Sequence, residues 1–338
     1  MVTLNQLRSF LAVADNGSVR AAAAELVVTQ AAVSASLATL QRALALQLVQ
    51  PDGRGLRLTA AGAAYADHVR RALGLLGEAG RAAAAAADPE HGELRIAAVT
   101  TAAEQIVPAL LAGFRRRHPD VGVLLEAGNR ERVTALLEQH QVDLLIGGRP
   151  QPGLEVTVQA VRPHQLVVVA APSLPGRAGS SGRAGGRAGS GGRAGGRAGS
   201  GGRAGGGTSN GPAADQALLT WLARQTWLLR EPGSGIRAAT QALLADLDIA
   251  PLTLTVGSNG AIRESAGVGL GVTLVSRDAI EAEAAAGRLA ELPVPGTPLH
   301  RDWHLVTRPG PLTATAAWLV EGALRSGGFE AAGNRAHS

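Results

Sequence analysis

Three pairs of small polar residues stand where an apolar run ends and a helical pattern begins: Thr100-Thr101, Ser234-Gly235 and Ser258-Asn259. A hydroxyl beside the free N–H groups of a helix start favours an anion, so these pairs are candidates to line a cleft for a carboxylate or phosphate. Plain N-capping explains them too, and Thr101-x-x-Glu104 has the spacing of a capping box. Around Ser234, the neighbours Pro232, Gly233 and Gly235 also fit close approach of backbone to a ligand. A different chemistry lies near the N-terminus. In a helix opening after Thr29, Val33, Leu37 and Leu40 share one face, Ala31, Ala35, Thr39 and Arg42 lie opposite, and Gln30 and Ser34 flank them. A face of small side chains lets a helix enter a DNA major groove, where Gln30 and Ser34 either bond base edges or stay solvated. Arg54 and Arg57, beside the hairpin signal Asp52-Gly53, either reach phosphates or only keep the surface soluble.

Other chemistries are excluded. The chain has no cysteine, which removes thiolate metal sites, disulfides and Cys nucleophiles together. Gly267-Val-Gly-Leu-Gly271 precedes a strand instead of following one, and a chain without Lys has no phosphate-binding Gly-Lys-Ser/Thr loop. His164, His300 and His304 have no metal-ligand company, and no serine sits in a nucleophile elbow. Trp221 and Trp227 read as core. The expectation is a protein that is not an enzyme and uses no cofactor and no metal.

These residues must be positioned by more than one domain. Of 338 residues, about 300 remain outside a Gly-Arg-Ala-Gly/Ser repeat near the middle, more than one small core organises. The net charge of +5 resolves on mapping: six of the 32 basic residues, all Arg, fall between Gly176 and Gly207, and the rest of the chain holds 26 Arg against 27 acids. Residues 1 to 87 carry eight Arg against five acids, the basic excess that bears on nucleic acid. Apolar spacing gives a first helix over Leu4–Ala14, a second after Ser18, a third after Thr29, a wing over Leu48–Leu58 and a long helix from Thr59 to about Ala87. A helix of that length between domains pairs with a copy of itself. From Leu94 the pattern alternates: strand 94–99, helix 102–118, strand 122–127, helix 130–139, strand 142–147, strand 166–171. Beyond the repeat come strand 227–230, helix 235–247, strand 252–256, helix 259–267 and strand 271–275. Such alternation predicts parallel sheets with βαβ crossovers. The repeat, without branched or aromatic side chains, is expected to stay disordered. No uninterrupted apolar stretch reads as a signal peptide or membrane span, so a cytoplasmic protein is expected.

The order and spacing of Leu7-x-x-Phe10, Gly17-Ser18, Ala21-Ala22, Leu26, Thr29-Gln30-Ala31-Ala32-Val33-Ser34, Leu40, Leu44 and Leu58-Thr59-x-x-Gly62 resemble the LysR-type transcriptional regulator family. The later residues Leu94-Arg-Ile, Thr100-Thr101, Asp143-Leu-Leu-Ile-Gly147, Leu229-Arg-Glu-Pro-Gly-Ser-Gly-Ile-Arg237 and Gly257-Ser258-Asn259 are similar to its effector domain. The branch they resemble includes regulators of carbon-fixation and cysteine-biosynthesis operons. Where the family has Leu-Glu, Leu-Gly and Leu-Phe-x-Arg, this chain has Leu40-Gln41, Leu44-Ala45 and Leu48-Val49-Gln50-Pro51.

The resemblance implies an α/β protein with a winged helix-turn-helix at 1–60, a linker and dimerisation helix at 61–88, and a two-lobed, periplasmic-binding-protein-like effector domain at 92–325 holding the insert 176–211. It places base contacts on Gln30, Ala31, Ser34 and Ala35 and phosphate contacts on Thr29, Arg54 and Arg57. Direct readout by that set is thin, so specificity is expected to lean on DNA bending. It places effector contacts on Thr100, Thr101, Gly147, Ser234, Gly235, Ser258 and Asn259. The chain is expected to cross into the second lobe near Pro163 and return near Ala266, with the effector cleft at the junction. Expected partners are double-stranded DNA, a small anionic effector and one or three further copies of the chain, and no membrane. Two rivals remain: a solute-binding or metabolic α/β protein, and RNA association through the Arg-Gly insert.

Overall fold

The structure, a computed structural model, describes residues 1–53, 55–174 and 212–335. It divides into two compact units, one made of Met1–Pro163 with Asp302–Ser338 and the other of His164–Arg301.

The first unit opens with three capped helices. Helix α1 (Leu4–Asn16) starts at a reciprocal Thr3/Gln6 capping box and ends where Gly17 turns left-handed at φ 65°. Ser18 caps α2 (Val19–Leu26) and Thr29 caps α3 (Gln30–Leu44), each hydroxyl accepting from the backbone N–H three residues on. The axes of α2 and α3 meet at 109°, within the range of a helix-turn-helix corner. Phe10, Val13, Ala22, Val33, Leu37 and Leu40 form the core beneath it. The corner residue Val27 is left-handed at φ 55° and 90 % exposed, so it carries the steric cost of that conformation with no packing in return. Val27→Asn should therefore raise stability by about 1 kcal/mol, read as a higher melting temperature.

Strands β1 (Val49–Asp52) and β2 (Gly55–Leu58) form the wing, pairing Val49 with Leu58 and Gln50 with Arg57. Gln41, where the family has Glu, still does a structural job: its Oε1 accepts from the Leu48 N–H at 2.7 Å and pins the entry to the wing. Thr59 caps α4 (Ala60–Ala87), a single helix of 28 residues and about 42 Å.

A 3-10 turn at Pro89–His91 leads into the first lobe. Strand β3 (Glu93–Val99) lies between β4 (Gly122–Gly128) and β5 (Leu144–Gly147), parallel to both. Between them run α5 (Thr100–Gln105), α6 (Val107–Arg117) and α7 (Arg130–Glu138). The expected helix 102–118 is thus two helices, because Pro108 at a first-turn position lacks the N–H that would continue α5. Strand β6 (Thr157–Ala170) is 14 residues long, more than twice the expected strand, and carries the chain into the second unit past Pro163.

In the second unit, α8 (Pro212–Leu222) precedes the parallel pair β7 (Trp227–Leu229) and β8 (Thr253–Thr255), followed respectively by α9 (Gly235–Asp246) and α10 (Asn259–Gly267). Strands β9 (Thr273–Ser276) and β10 (Ala290–Glu291), separated by α11 (Glu281–Ala285), pair antiparallel with the second half of β6. Trp227 is fully buried in the core of this unit and donates from its indole to the Leu222 carbonyl at 3.1 Å. The chain returns to the first unit within β11 (Leu299–Thr307), at Arg301/Asp302, and not near Ala266. Ala266 stays in the second unit because α10 packs on the β6/β9 layer there. Strand β11 pairs antiparallel with β5, and α12 (Ala314–Arg325) and β12 (Glu330–Ala331) complete the first lobe, whose core holds Ile96, Phe114, Leu144, Ile146, Leu305 and Leu319. Residues 175–211, which contain the expected disordered insert, lie outside the described residues.

Candidate functional site

On α3, Gln30, Ala31, Ser34 and Ala35 are all exposed, whereas Val33, Leu37 and Leu40 are buried on the other side. Residues at i, i+1, i+4 and i+5 share a helix face, so the four side chains that the family pattern assigns to bases form one surface of small, polar-tipped groups. Thr29 is committed as the cap of that helix, accepting from Ala32 N–H at 3.2 Å. Arg57 is exposed on β2, and the Gln50 amide, with its oxygen turned toward the guanidinium, accepts from Arg57 Nε at 3.1 Å and Nη1 at 2.9 Å across the wing. Arg54 lies outside the described residues.

In the first lobe the structure brings Thr100, Thr101 and Gly147 to neighbouring strand ends, since β3 and β5 pair through Ala98 and Ile146. The Thr100 hydroxyl donates to the Gly128 carbonyl at 3.2 Å and so ties the end of β3 to the end of β4. Thr101 is buried and lies inside α5, whose N-cap position is Val99 and has no side-chain cap. Thr101 is therefore not the cap of this helix, which begins two residues before the start that a Thr101 cap requires. At Gly147 a Cβ would stand 3.1 Å from Leu145 Cδ2 and 3.4 Å from Val99 Cγ1, so a larger residue would crowd both.

The same strand ends hold two arginines that sequence reading missed, beside His304. Arg130 opens α7, Arg149 follows β5, and His304 sits on β11 directly across the ladder from Gly147. Arg130 and Arg149, with Val99, Leu145 and Val306, border a shallow concavity of about 20 Å³ that opens to solvent. Gly148 leaves room for this arrangement, as its Cβ would come within 2.9 Å of Arg130 Nη2. Among the described residues neither arginine forms an ion pair. Burial holds the His304 imidazole below the ordinary histidine value against the pull of Asp302, and the Arg149 and Arg130 charges push the same way as burial. His304 is therefore neutral at pH 7, and two guanidinium groups stand beside it uncompensated. The register of β5 with β11 was the missing signal, and no local pattern encodes it.

In the second unit, Ser234-Gly235 and Ser258-Asn259 also come to neighbouring strand ends, because β7 and β8 pair through Leu229 and Thr255. Ser258 caps α10, accepting from Ala261 N–H at 3.4 Å. Ser234 occupies the cap position of α9 but makes no side-chain cap bond, and Gly233 before it is left-handed at φ 83°. Its hydroxyl is thus available where the sequence left capping and ligand contact open. Asn259 is buried at the first position of α10. Arg237 is taken up by the fold, donating to the Arg230 carbonyl at 2.7 Å and to Thr255 Oγ1 at 3.2 Å. Among the described residues no cluster of three or more His, Asp or Glu could hold a metal, and no single helix is long and apolar enough to cross a membrane.

Residues 4–63 match the family model described as "Bacterial regulatory helix-turn-helix protein, lysR family", and residues 87–181 and 209–327 match "LysR substrate binding domain". The chain is 31 % identical to the HTH-type transcriptional regulator CfxR of Cupriavidus necator over 90 % of its own length and 85 % of that protein's. It is 33 % identical to the RuBisCO operon transcriptional regulator of Allochromatium vinosum, covering 94 % and 93 % of the two chains. Among solved structures it resembles CbnR, a LysR family transcriptional regulator, with TM-score 0.62 and 22 % identity over 96 % of this chain and 99 % of that one. The regulatory domain of Synechocystis CcmR, solved in complex with 2-PG, matches with TM-score 0.54 and 24 % identity over 69 % of this chain and 96 % of that one. With the helix-turn-helix and both lobes accounted for by one family across most of its length, the chain belongs to the LysR-type transcriptional regulators.

Proposed function

We propose that this regulator reads duplex DNA through the exposed face of α3 and is switched by a small anion bound by its effector domain, with Thr100, Thr101, Gly147, Ser234, Gly235, Ser258 and Asn259 as its candidate contacts. The observation that carries the anion is the pair Arg130 and Arg149, without acid partners beside a neutral His304. Guanidinium groups with no acid partner are free to pair with an incoming anion, and a carboxylate or phosphate fits their fork geometry. The available Ser234 hydroxyl adds a donor of the kind such a ligand uses. The ligand-bound CcmR domain makes 2-PG the first probe, and the relatives' names point to promoters of carbon-fixation operons as targets. On this reading the protein acts in the cytoplasm as a homo-oligomer, and ligand binding alters the spacing of recognition helices. The effector-domain match passes from residue 181 to 209, which supports treating the Arg-Gly-Ala insert as an excursion that the family fold does without.

Titration calorimetry with 2-PG on the full chain tests the site. Arg149→Gln and Ser234→Ala should each weaken binding roughly ten- to a hundredfold, the worth of a hydrogen bond to a charged group, and leave DNA affinity without ligand unchanged. Equal binding by parent and variants, or tighter binding of a neutral aromatic such as phenol, would count against the anion.

A further inference from the structure

Helix α4 belongs to two structures at once. Its first half is part of the winged helix: Tyr65 packs on Phe10 with ring centroids 5.6 Å apart, Ala66 and Val69 are buried, and Arg70 pairs with Asp15. Its second half meets the first lobe along one face, through Gly74, Glu78, Arg81 and Ala85, residues spaced four, three and four apart. At Gly74 a Cβ would stand 1.7 Å from the Gln139 carbonyl oxygen, so the helix lies directly on the turn between α7 and β5. Glu78 pairs there with His140 and, at 3.0 Å, with Arg308, which in turn donates to the Leu137 and Val142 carbonyls at 2.8 and 2.6 Å. Arg81 donates to the His140 carbonyl at 3.2 Å and lies 4.0 Å from the buried Asp143. Asp143 also accepts from the Arg95 N–H at 2.8 Å. Burial pushes the Glu78 carboxyl up, but hydrogen bonds from His140 and Arg308 outweigh it and hold the group below the ordinary glutamate value, so Glu78 is ionised at neutral pH.

The helix is locally weakened beside these contacts. Gly77 and Gly80 lie in the same stretch, have no protein atom closer than 3.4 Å to an added Cβ, and each weakens a helix interior. Backbone that is locally soft is therefore fixed by side-chain charges that cross to the lobe.

We propose that Glu78 and Arg81, closing on His140, Arg308 and Asp143, form a latch that locks the linker helix to the first lobe, so that winged helix and lobe turn as one body while it is shut. Opening the latch would free α4 at its glycines and let the recognition helix change orientation without any change in the lobe itself. The inference stands on the contacts of α4 and is independent of the ligand proposed above.

The chain has no cysteine, so two introduced ones carry spin labels at defined places. Ala24→Cys on α2 and Glu131→Cys on α7, both exposed, report the distance from winged helix to lobe in the full chain diluted with unlabelled protein. The latched protein should give one narrow distance distribution, and Glu78→Gln with Arg81→Gln should broaden or shift it. Gly74→Ala gives a second route that does not destabilise the helix: alanine favours α4 locally, yet its methyl must push the helix off Gln139, so the same broadening is expected. Arg325→Gln, which removes an exposed pair with Glu321 on α12, should leave the distribution narrow. A distribution that is broad in the parent, or unchanged in both the charge variant and Gly74→Ala, would overturn the latch.

Discussion

Ser34→Glu should lower operator affinity by well over tenfold without lowering the melting temperature. Ser34 is exposed in the middle of the α3 face and neither caps a helix nor contacts the core, so folding does not depend on it. With α3 in the groove as proposed, a carboxylate at this position would stand against base edges and phosphates, since the exposed neighbours Ala31 and Ala35 are too short to hold it away. A misplaced base contact costs about 1–3 kcal/mol, and repulsion from the backbone adds to it. Fluorescence anisotropy against salt separates the two parts, since only the repulsion shrinks as salt rises. Affinity within twofold of the parent would remove α3 from the groove.

Gly62→Ala should abolish DNA binding by a different route. The Thr59 backbone N–H donates to the Leu48 carbonyl at 3.0 Å, and the Thr59 hydroxyl both donates to Gln47 and accepts from Gly62 N–H. That lattice draws α4 so close to β1 that a Cβ on residue 62 would stand 1.9 Å from the Leu48 oxygen, which is backbone and cannot swing away. Overpacking against backbone costs about 3 kcal/mol or more, a large share of the stability of a domain this size. Gly80→Ala in the same helix meets nothing within 4 Å and should instead stabilise it by about 0.5–1 kcal/mol. Calorimetry should show the transition of the winged helix lowered by the first substitution and raised by the second.

Those two glycines mark the boundary of what the sequence discloses. The pattern Leu58-Thr59-x-x-Gly62 is visible as a motif, but the reason for the glycine, a carbonyl from the preceding strand, appears only with the fold. The buried stripe Val33, Leu37, Leu40 and the caps Ser18, Thr29 and Thr59 are local and were readable from spacing. At Thr101 the Thr-x-x-Glu spacing leaves capping and ligand contact open, because it cannot say where the preceding strand stops, and β3 runs straight into α5. Arg130 and Arg149 carry no local signal, and neither does the position of His304 beside them, which depends on a register between β5 and β11 that no neighbouring residues encode. Strand β11 itself went unread: its first half, His300-Arg301-Asp302, is polar, and only Leu305 and Val306 are buried aliphatics. The return of the chain was placed too early for the same reason.

The central claim, that DNA is held by α3 and that a small anion changes the grip, is tested most directly by a DNase I footprint over the DNA upstream of this chain's own gene, with and without 2-PG. The account predicts a protected window with the parent protein, none with Ser34→Glu, and a shift in the edge or the hypersensitive positions of that window when 2-PG is added, absent in Arg149→Gln. Protection by Ser34→Glu equal to the parent's, or a ligand-induced shift that persists in Arg149→Gln, would contradict it.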